Sequence, residues 1–326
     1  MKIRPRILRK SKGIRSLVQE TKLHISDFIA PLFILEGEGI CEEINSLPNY
    51  FRRSLDETLL DLKELKKIGI RAVVLFVKCE DHLKDNAGTE ALNDDGLMQR
   101  SIREIKKHFP DLVVFSDVAL DPYSSFGHDG IVENEKVLND ESAQILAEMA
   151  LSHAKAGVDF VAPSDMMDGR ISLIRNKLEE HRFTDVGIMS YSAKYASCFY
   201  GPFRDALDSA PGFGDKKSYQ MDPANRKEAL KEVALDINEG ADIIMIKPAM
   251  AYLDIIRDVT IETNLPVSAY QVSGEYAMIK AAAEKEWLNE DDAILESLTA
   301  IKRAGASLII SYFIKDIARI LNTTKN

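Results

Sequence analysis

Lys247 closes an apolar run, Ile243-Ile244-Met245-Ile246, and precedes Pro248, which prevents an immediate helix. A lysine at the inner end of a buried strand is costly unless its charge is paired or shed. Lys194 follows a second such run, in Ser190-Tyr191-Ser192-Ala193-Lys194, three residues past the expected end of its strand. Neighbouring strands lie ~4.8 Å apart, so two adjacent strand ends can present both amines to one pocket. Desolvation and a nearby second cation both disfavour the ammonium, so at least one amine could be neutral and nucleophilic near neutral pH. A neutral amine adds to a ketone and forms a Schiff base. Taken singly, a strand-end lysine serves more often as an ion-pair partner, and both readings stay open on the lysines alone.

Acidic and hydroxyl groups surround the pair in sequence. Asp117 ends a third apolar run, and Asp121 and Asp129 lie in the turn-rich excursion beyond it. Such carboxylates neutralise lysines, bind a hard cation or move protons. Asp121 before Pro122 and Asp129 before Gly130 are equally ordinary turn residues. Arg204 and Lys216 fall in a long segment rich in aromatic residues and glycine, where they could meet a substrate carboxylate and fold a loop over it. Ser273 and Tyr312 follow or end later runs, where their hydroxyls could hydrogen-bond an anion. The segment from Ser164 to Arg170 needs no role beyond capping the helix after it. Cys79 and His82 are too few for a metal site, and three widely spaced cysteines form no disulfide framework and suit a reducing compartment.

These residues need elements to position them. Short runs rich in Val, Ile and Phe at 28–34, 72–77, 112–116, 158–163, 186–191, 242–246, 266–271 and 307–312 read as buried parallel strands. Amphipathic stretches at 56–68, 99–109, 138–156, 169–182, 225–239, 251–264 and 290–304 alternate with them. Gly69, Gly157, Gly240 and Gly305 each end a helical pattern just before a strand, which is the left-handed helix stop. This alternation predicts an α/β fold, a (β/α)8 TIM barrel, over an open doubly wound sheet, and no Gly-x-Gly-x-x-Gly turn follows the first strand. We expect residues 1–27 to form an N-terminal oligomerisation arm and 28–326 a catalytic barrel with a lid at about 195–222.

With 326 residues, 45% of them hydrophobic, the chain can bury a full core. A net charge of −10 argues against binding that rests on nucleic-acid phosphates. Seven basic side chains and no acid in residues 1–16 leave −17 on the remainder, so the basic segment reads as an arm suited to an acidic neighbour, as a solvated tail or, last, as an address. No apolar run approaches the ~18 residues of a membrane span, and a cytoplasmic location is expected.

Five segments together resemble the porphobilinogen synthase (5-aminolaevulinate dehydratase) family: Arg4-Pro-Arg-Ile-Leu-Arg-Lys, Val161-Ala-Pro-Ser-Asp-Met-Met-Asp-Gly-Arg, Tyr200-Gly-Pro-Phe-Arg-Asp, Met245-Ile-Lys-Pro-Ala and Ala269-Tyr-Gln-Val-Ser-Gly-Glu-Tyr. The resemblance implies condensation of two 5-aminolaevulinate molecules to the pyrrole porphobilinogen, with Lys247 and Lys194 as Schiff-base lysines for the propionate-side and acetate-side molecules. It implies that Arg204 and Lys216 bind one substrate carboxylate, Ser273 and Tyr312 the other, and that Gln220, Tyr270 and Asp117 line the pocket. Where zinc-dependent members carry three cysteines, this chain has Ala119, Asp121 and Asp129, so no active-site zinc is expected and a metal at Asp121 and Asp129 stays open. Glu232 matches the acid of Mg²⁺-responsive members, which implies an allosteric Mg²⁺ and no organic cofactor. The same resemblance implies a homo-octamer built from dimers through the arms. The alternatives are a class I Schiff-base aldolase, which needs only one lysine plus a phosphate site, and a non-catalytic binding protein, which has no need of paired amines.

Overall fold

The computed structural model describes residues 2–209 and 211–323; Met1 of the expected arm, Ala210 of the expected lid and 324–326 of the expected barrel lie outside them. The apolar runs form strands β1 (Phe28–Ile34), β2 (Ala72–Val77), β3 (Val113–Val118), β4 (Phe160–Pro163), β5 (Gly187–Lys194), β6 (Ile243–Lys247), β7 (Val267–Tyr270) and β8 (Leu308–Ile310). Neighbours are parallel, and β8 pairs back onto β1 through Ile309 with Phe28 and Ile310 with Ile29, which closes the sheet into an eight-stranded barrel. Every residue of β1 and β6 is buried, as expected when one face packs on the barrel interior and the other on helices. Around the barrel lie α1 (Leu55–Lys67), α2 (Leu97–His108), α3 (Asn139–Ala156), α4 (Arg170–Glu180), α5 (Lys227–Glu239), α6 (Leu253–Glu262), α7 (Ser273–Glu284), α8 (Glu290–Ala304) and α9 (Ile314–Thr323). The four glycines that end helical patterns have φ of +93°, +95°, +106° and +124°, the conformation that the missing Cβ permits.

Strand ends and the number of helices differ from the sequence reading. Strand β5 runs on to Lys194, because the hydroxyls that interrupt its apolar run are satisfied locally: Ser190 Oγ donates to Asp236 at 2.5 Å and Ser192 Oγ to the Ser190 carbonyl at 3.4 Å. Strand β8 stops at Ile310, where Ser311 Oγ donates to Gln271 and accepts from the Phe313 amide to turn the chain into α9. Helices α7 and α9 were not expected. The alanine-rich face of α7 gives little amphipathic contrast, and its first turn carries the Ser-Gly-Glu-Tyr motif.

A short strand, Phe51–Arg53, pairs in parallel beside the C-terminal end of β1, and Arg52 donates from there to the carbonyls of Asp205 and Ala206 at 3.2 and 3.1 Å. No residue from Lys2 to Asp27 is buried, and Ile3, Ile7, Leu8, Leu17 and Val18 are exposed. A cavity of about 1030 Å³ lies between this segment, at Lys12, Arg15 and Lys22, and the helices α8 and α9.

Candidate active site

Lys194 and Lys247 are direct lateral partners at the C-terminal ends of β5 and β6. The register shifts between Ile244 and Ile246, with two residues of β5, Tyr191 and Ser192, opposite Met245 alone. This bulge lets Tyr191 and Lys194 both face the barrel mouth although three positions separate them, which strict alternation forbids.

The two amines have different surroundings. Lys247 Nζ sits 4.8 to 5.2 Å from the ring centroids of Tyr191, Tyr200, Phe203 and Tyr270. Among the described residues no carboxylate lies within 4 Å of it. Burial, reinforced by the Lys194 charge, pushes its amine down to about 7. Lys194 instead pairs with Asp129 at 3.4 Å and donates to the Ser164 carbonyl. Lys216, from the segment that arches over the mouth, is buried between Asp129 at 2.7 Å and Asp121 at 3.2 Å. Burial alone would raise the Asp129 carboxyl, but the Lys194 and Lys216 ammonium groups outweigh it and hold it at about 2. Asp121 and Asp129, the candidate ligands of a hard cation, therefore converge on an ammonium group supplied by the chain itself.

Asp117 is the penultimate residue of β3, and the charges of both lysines act on its carboxyl. Burial and then the Asp121 charge push it up to about 7, and one of its carboxylate oxygens is buried with no protein partner. The Gln220 amide oxygen is also buried without one. Tyr270 and Tyr312 share a hydrogen bond of 2.9 Å between their hydroxyls. Ser273 Oγ accepts from the Phe203 amide at 2.9 Å and donates to the Phe199 carbonyl at 3.4 Å, so here it anchors the start of the lid. Arg204 is half-buried in the lid helix Gly201–Leu207, with no carboxylate within 4 Å among the described residues. The segment expected as a lid leaves β5 after Lys194 and returns beside it, where the Ala196 amide donates to Met221 at 2.8 Å and the Met221 amide to Lys194 at 3.0 Å. Its two ends thus meet in a compact Ω-like excursion.

Glu232 stands apart from this group. It lies on α5, in a cleft of about 290 Å³ shared with Asn139, Asp168 and lid residues 219–222. Burial, then the Asp236 charge, pushes its carboxyl up.

The family model described as delta-aminolevulinic acid dehydratase matches residues 2–320. The chain belongs to the delta-aminolevulinic acid dehydratase family. The dehydratase of Halalkalibacterium halodurans is 52% identical over 323 residues, 99% of this chain and 98% of that protein. That of Bacillus subtilis is 51% identical over 318 residues, 98% of each chain. The crystal structure of the Toxoplasma gondii ME49 dehydratase in complex with its reaction product porphobilinogen superposes with a TM-score of 0.96 at 47% identity, over 98% of this chain and 91% of that one.

For this dehydratase-family chain, sequence reasoning missed the aromatic cage of Tyr191, Tyr200 and Phe203, and it missed Ser164. The cage residues read as strand core and lid. Their gathering on one amine depends on the bulge and on the path of the segment after β5, which spacing does not reveal. Ser164 acts through a backbone carbonyl, an atom every residue has, so its identity carried no signal.

Proposed function

We propose that the chain condenses two molecules of 5-aminolaevulinate to porphobilinogen, holding both as Schiff bases on Lys247 and Lys194. The observation that supports this most is the contrast between laterally paired amines: one caged by rings with no counterion, the other ion-paired to Asp129. The Lys247 amine adds to the ketone carbon of one substrate and expels its oxygen as water. Lys194 gives up a proton before adding to the second, so the geometry favours Lys247 as the first to react. When the pyrrole forms, both lysines are released and two waters have left. Asp117, on whose carboxyl the charges of both amines act, exchanges protons with the intermediates. Arg204 and Lys216 meet one substrate carboxylate, Ser273 and Tyr312 the other, and Gln220 and Tyr270 border them. For Lys216, binding a substrate carboxylate means sharing its charge between that group and Asp121 and Asp129.

Activity is tested by incubating the purified chain with 5-aminolaevulinate and measuring pyrrole formation, and no product would overturn the reading. The pH dependence follows from the same groups. As pH falls through about 7, Lys247 gains a proton and stops being a nucleophile, and Asp117, at about 7, gains one as well. Because the two interact, kcat/KM should show one joint acid limb near pH 7, and a flat profile from about pH 6 to 8 would count against Lys247 as nucleophile. Gly274, at the start of α7, tests the lid's footing: a Cβ there would meet the Phe199 carbonyl oxygen at 2.6 Å and Cα at 2.8 Å. Gly274→Ala should displace the lid's first turn and lower kcat/KM about ten-fold while unfolding changes by about 1–3 kcal/mol. Unaltered kcat/KM would show that the lid does not depend on this contact.

Mg²⁺ belongs to the same proposal, at Glu232. Its partly buried carboxyl gains from a cation, and Asp168 and Asn139 add hard oxygen donors in the cleft. Mg²⁺ needs only one or two carboxylates because it keeps several waters. A charge bound there would tie α5 to the returning end of the lid. Zinc is not part of the reading, since Ala119, Asp121 and Asp129 offer no thiolate. We also read the exposed apolar side chains of the basic arm as docking on a second copy, with a homo-octamer built from dimers as the assembly, in the cytoplasm. No helix among the described residues is long and apolar enough to cross a membrane.

A further inference from the structure

The loop after β3 and the lid meet along a seam that the reaction itself does not use. The Gly212 amide donates to the Phe126 carbonyl at 2.9 Å, and the rings of Phe126 and Phe213 pack edge to face at 5.8 Å. His128, 1% exposed, stands at the centre of the seam with both ring nitrogens on the lid: Nε2 lies 3.2 Å from the Phe213 carbonyl and Nδ1 3.0 Å from the Tyr219 hydroxyl. Its ring also packs on Phe213 at 4.6 Å. A carbonyl only accepts, so Nε2 carries the hydrogen, and Nδ1 is left to accept from the Tyr219 O–H. The Tyr219 oxygen in turn accepts from the Asp129 amide at 3.3 Å. One neutral tautomer satisfies every bond in this chain of contacts.

We propose that His128 is a positioning residue that clasps the lid and, through Tyr219 and the Asp129 backbone, fixes where the Asp129 carboxylate meets Lys194 and Lys216. The residue after the clasp is the one whose two oxygens hold both ammonium groups. Opening the lid removes the Tyr219 oxygen from the Asp129 amide and Lys216 from the Asp129 carboxylate together. Lid position and the ion pairing of Lys194 thus change as a unit. The clasp rests on the reading of Lys194 as a reacting amine for its catalytic consequence, but not for its effect on the lid.

The test compares His128→Ala, His128→Asn and Tyr219→Phe in the full chain by two readouts: amide hydrogen exchange of residues 212–220 without substrate, and kcat and KM for 5-aminolaevulinate. Loss of both imidazole bonds should speed lid exchange and raise KM about ten-fold in His128→Ala, with kcat falling less. An asparagine oxygen can stand near the Nδ1 position and accept from Tyr219, so His128→Asn should recover part of the loss. Tyr219→Phe, which removes one hydroxyl and no core volume, should give the same change in direction, and adding it to His128→Ala should cost little more. Wild-type exchange and KM in both His128→Ala and Tyr219→Phe, or full additivity of the two, would overturn the clasp. Because exchange is measured without substrate, it tests the clasp even if the Schiff-base reading fails.

Discussion

Lys247→Met is expected to abolish pyrrole formation, with kcat falling at least about 10⁴-fold, because the substitution removes the amine in the aromatic cage that can attack without first losing a counterion. Methionine fills similar volume and carries no charge, so the four surrounding rings keep their packing and stability should hold or rise. Borohydride trapping with 5-aminolaevulinate separates the two lysines: Lys247→Met should lose the adduct at that position, whereas Lys194→Met should keep an adduct on Lys247 yet make no pyrrole. Lys194→Met also removes the second cause, after burial, that holds the Lys247 amine down. Trapping at Lys247 in that variant should therefore need a higher pH than in the parent. Residual pyrrole synthesis in Lys247→Met, or a parent enzyme that traps nothing there, would refute the assignment.

The second large effect is on stability. Asp129→Asn leaves Lys194 with the Ser164 carbonyl and Lys216 with Asp121 alone, both ammonium groups still buried. Breaking a buried pair by removing one partner costs about 3–5 kcal/mol, because the orphaned charge stays out of water. The cost should depend on pH with a definite sign. The Asp129 carboxyl is held at about 2, below its ordinary 3.8, so its stabilisation is complete above that ordinary value and is lost as pH falls through about 2. That displacement corresponds to about 2 kcal/mol. Denaturant melts should show parent and Asp129→Asn far apart near neutral pH and converging in strong acid. Equal stability near neutral pH would mean that the two ammonium groups find other compensation.

Much of this architecture is legible in the amino-acid sequence alone. Parallel strands buried on both faces appear as unbroken apolar runs, and four helix-stopping glycines set their starts, so closure into a barrel followed from counting units. Asp117 was identifiable from its strand-end position alone, and Lys194 and Lys247 from their pairing on adjacent strands whose ends face the site in this fold. What stayed hidden involves long separations or backbone atoms. His128 and Tyr219 are 91 positions apart, and the Ser164 carbonyl has no side-chain signature. Ser273 was legible as a hydroxyl at a strand end, whereas its bonds to the Phe203 amide and the Phe199 carbonyl were not. Helix α7 escaped notice because alanines blur the contrast between its faces.

The bulge in β5 has a consequence for how such enzymes are told apart from look-alikes. With a straight register, Ala193 would stand beside Lys247, and the parity of the strand would turn Lys194 outward, toward the helices. A chain that kept both lysines and every motif around them but lost this one irregularity would pass any inspection by residue identity, and would present one amine to the pocket where the proposed chemistry uses two.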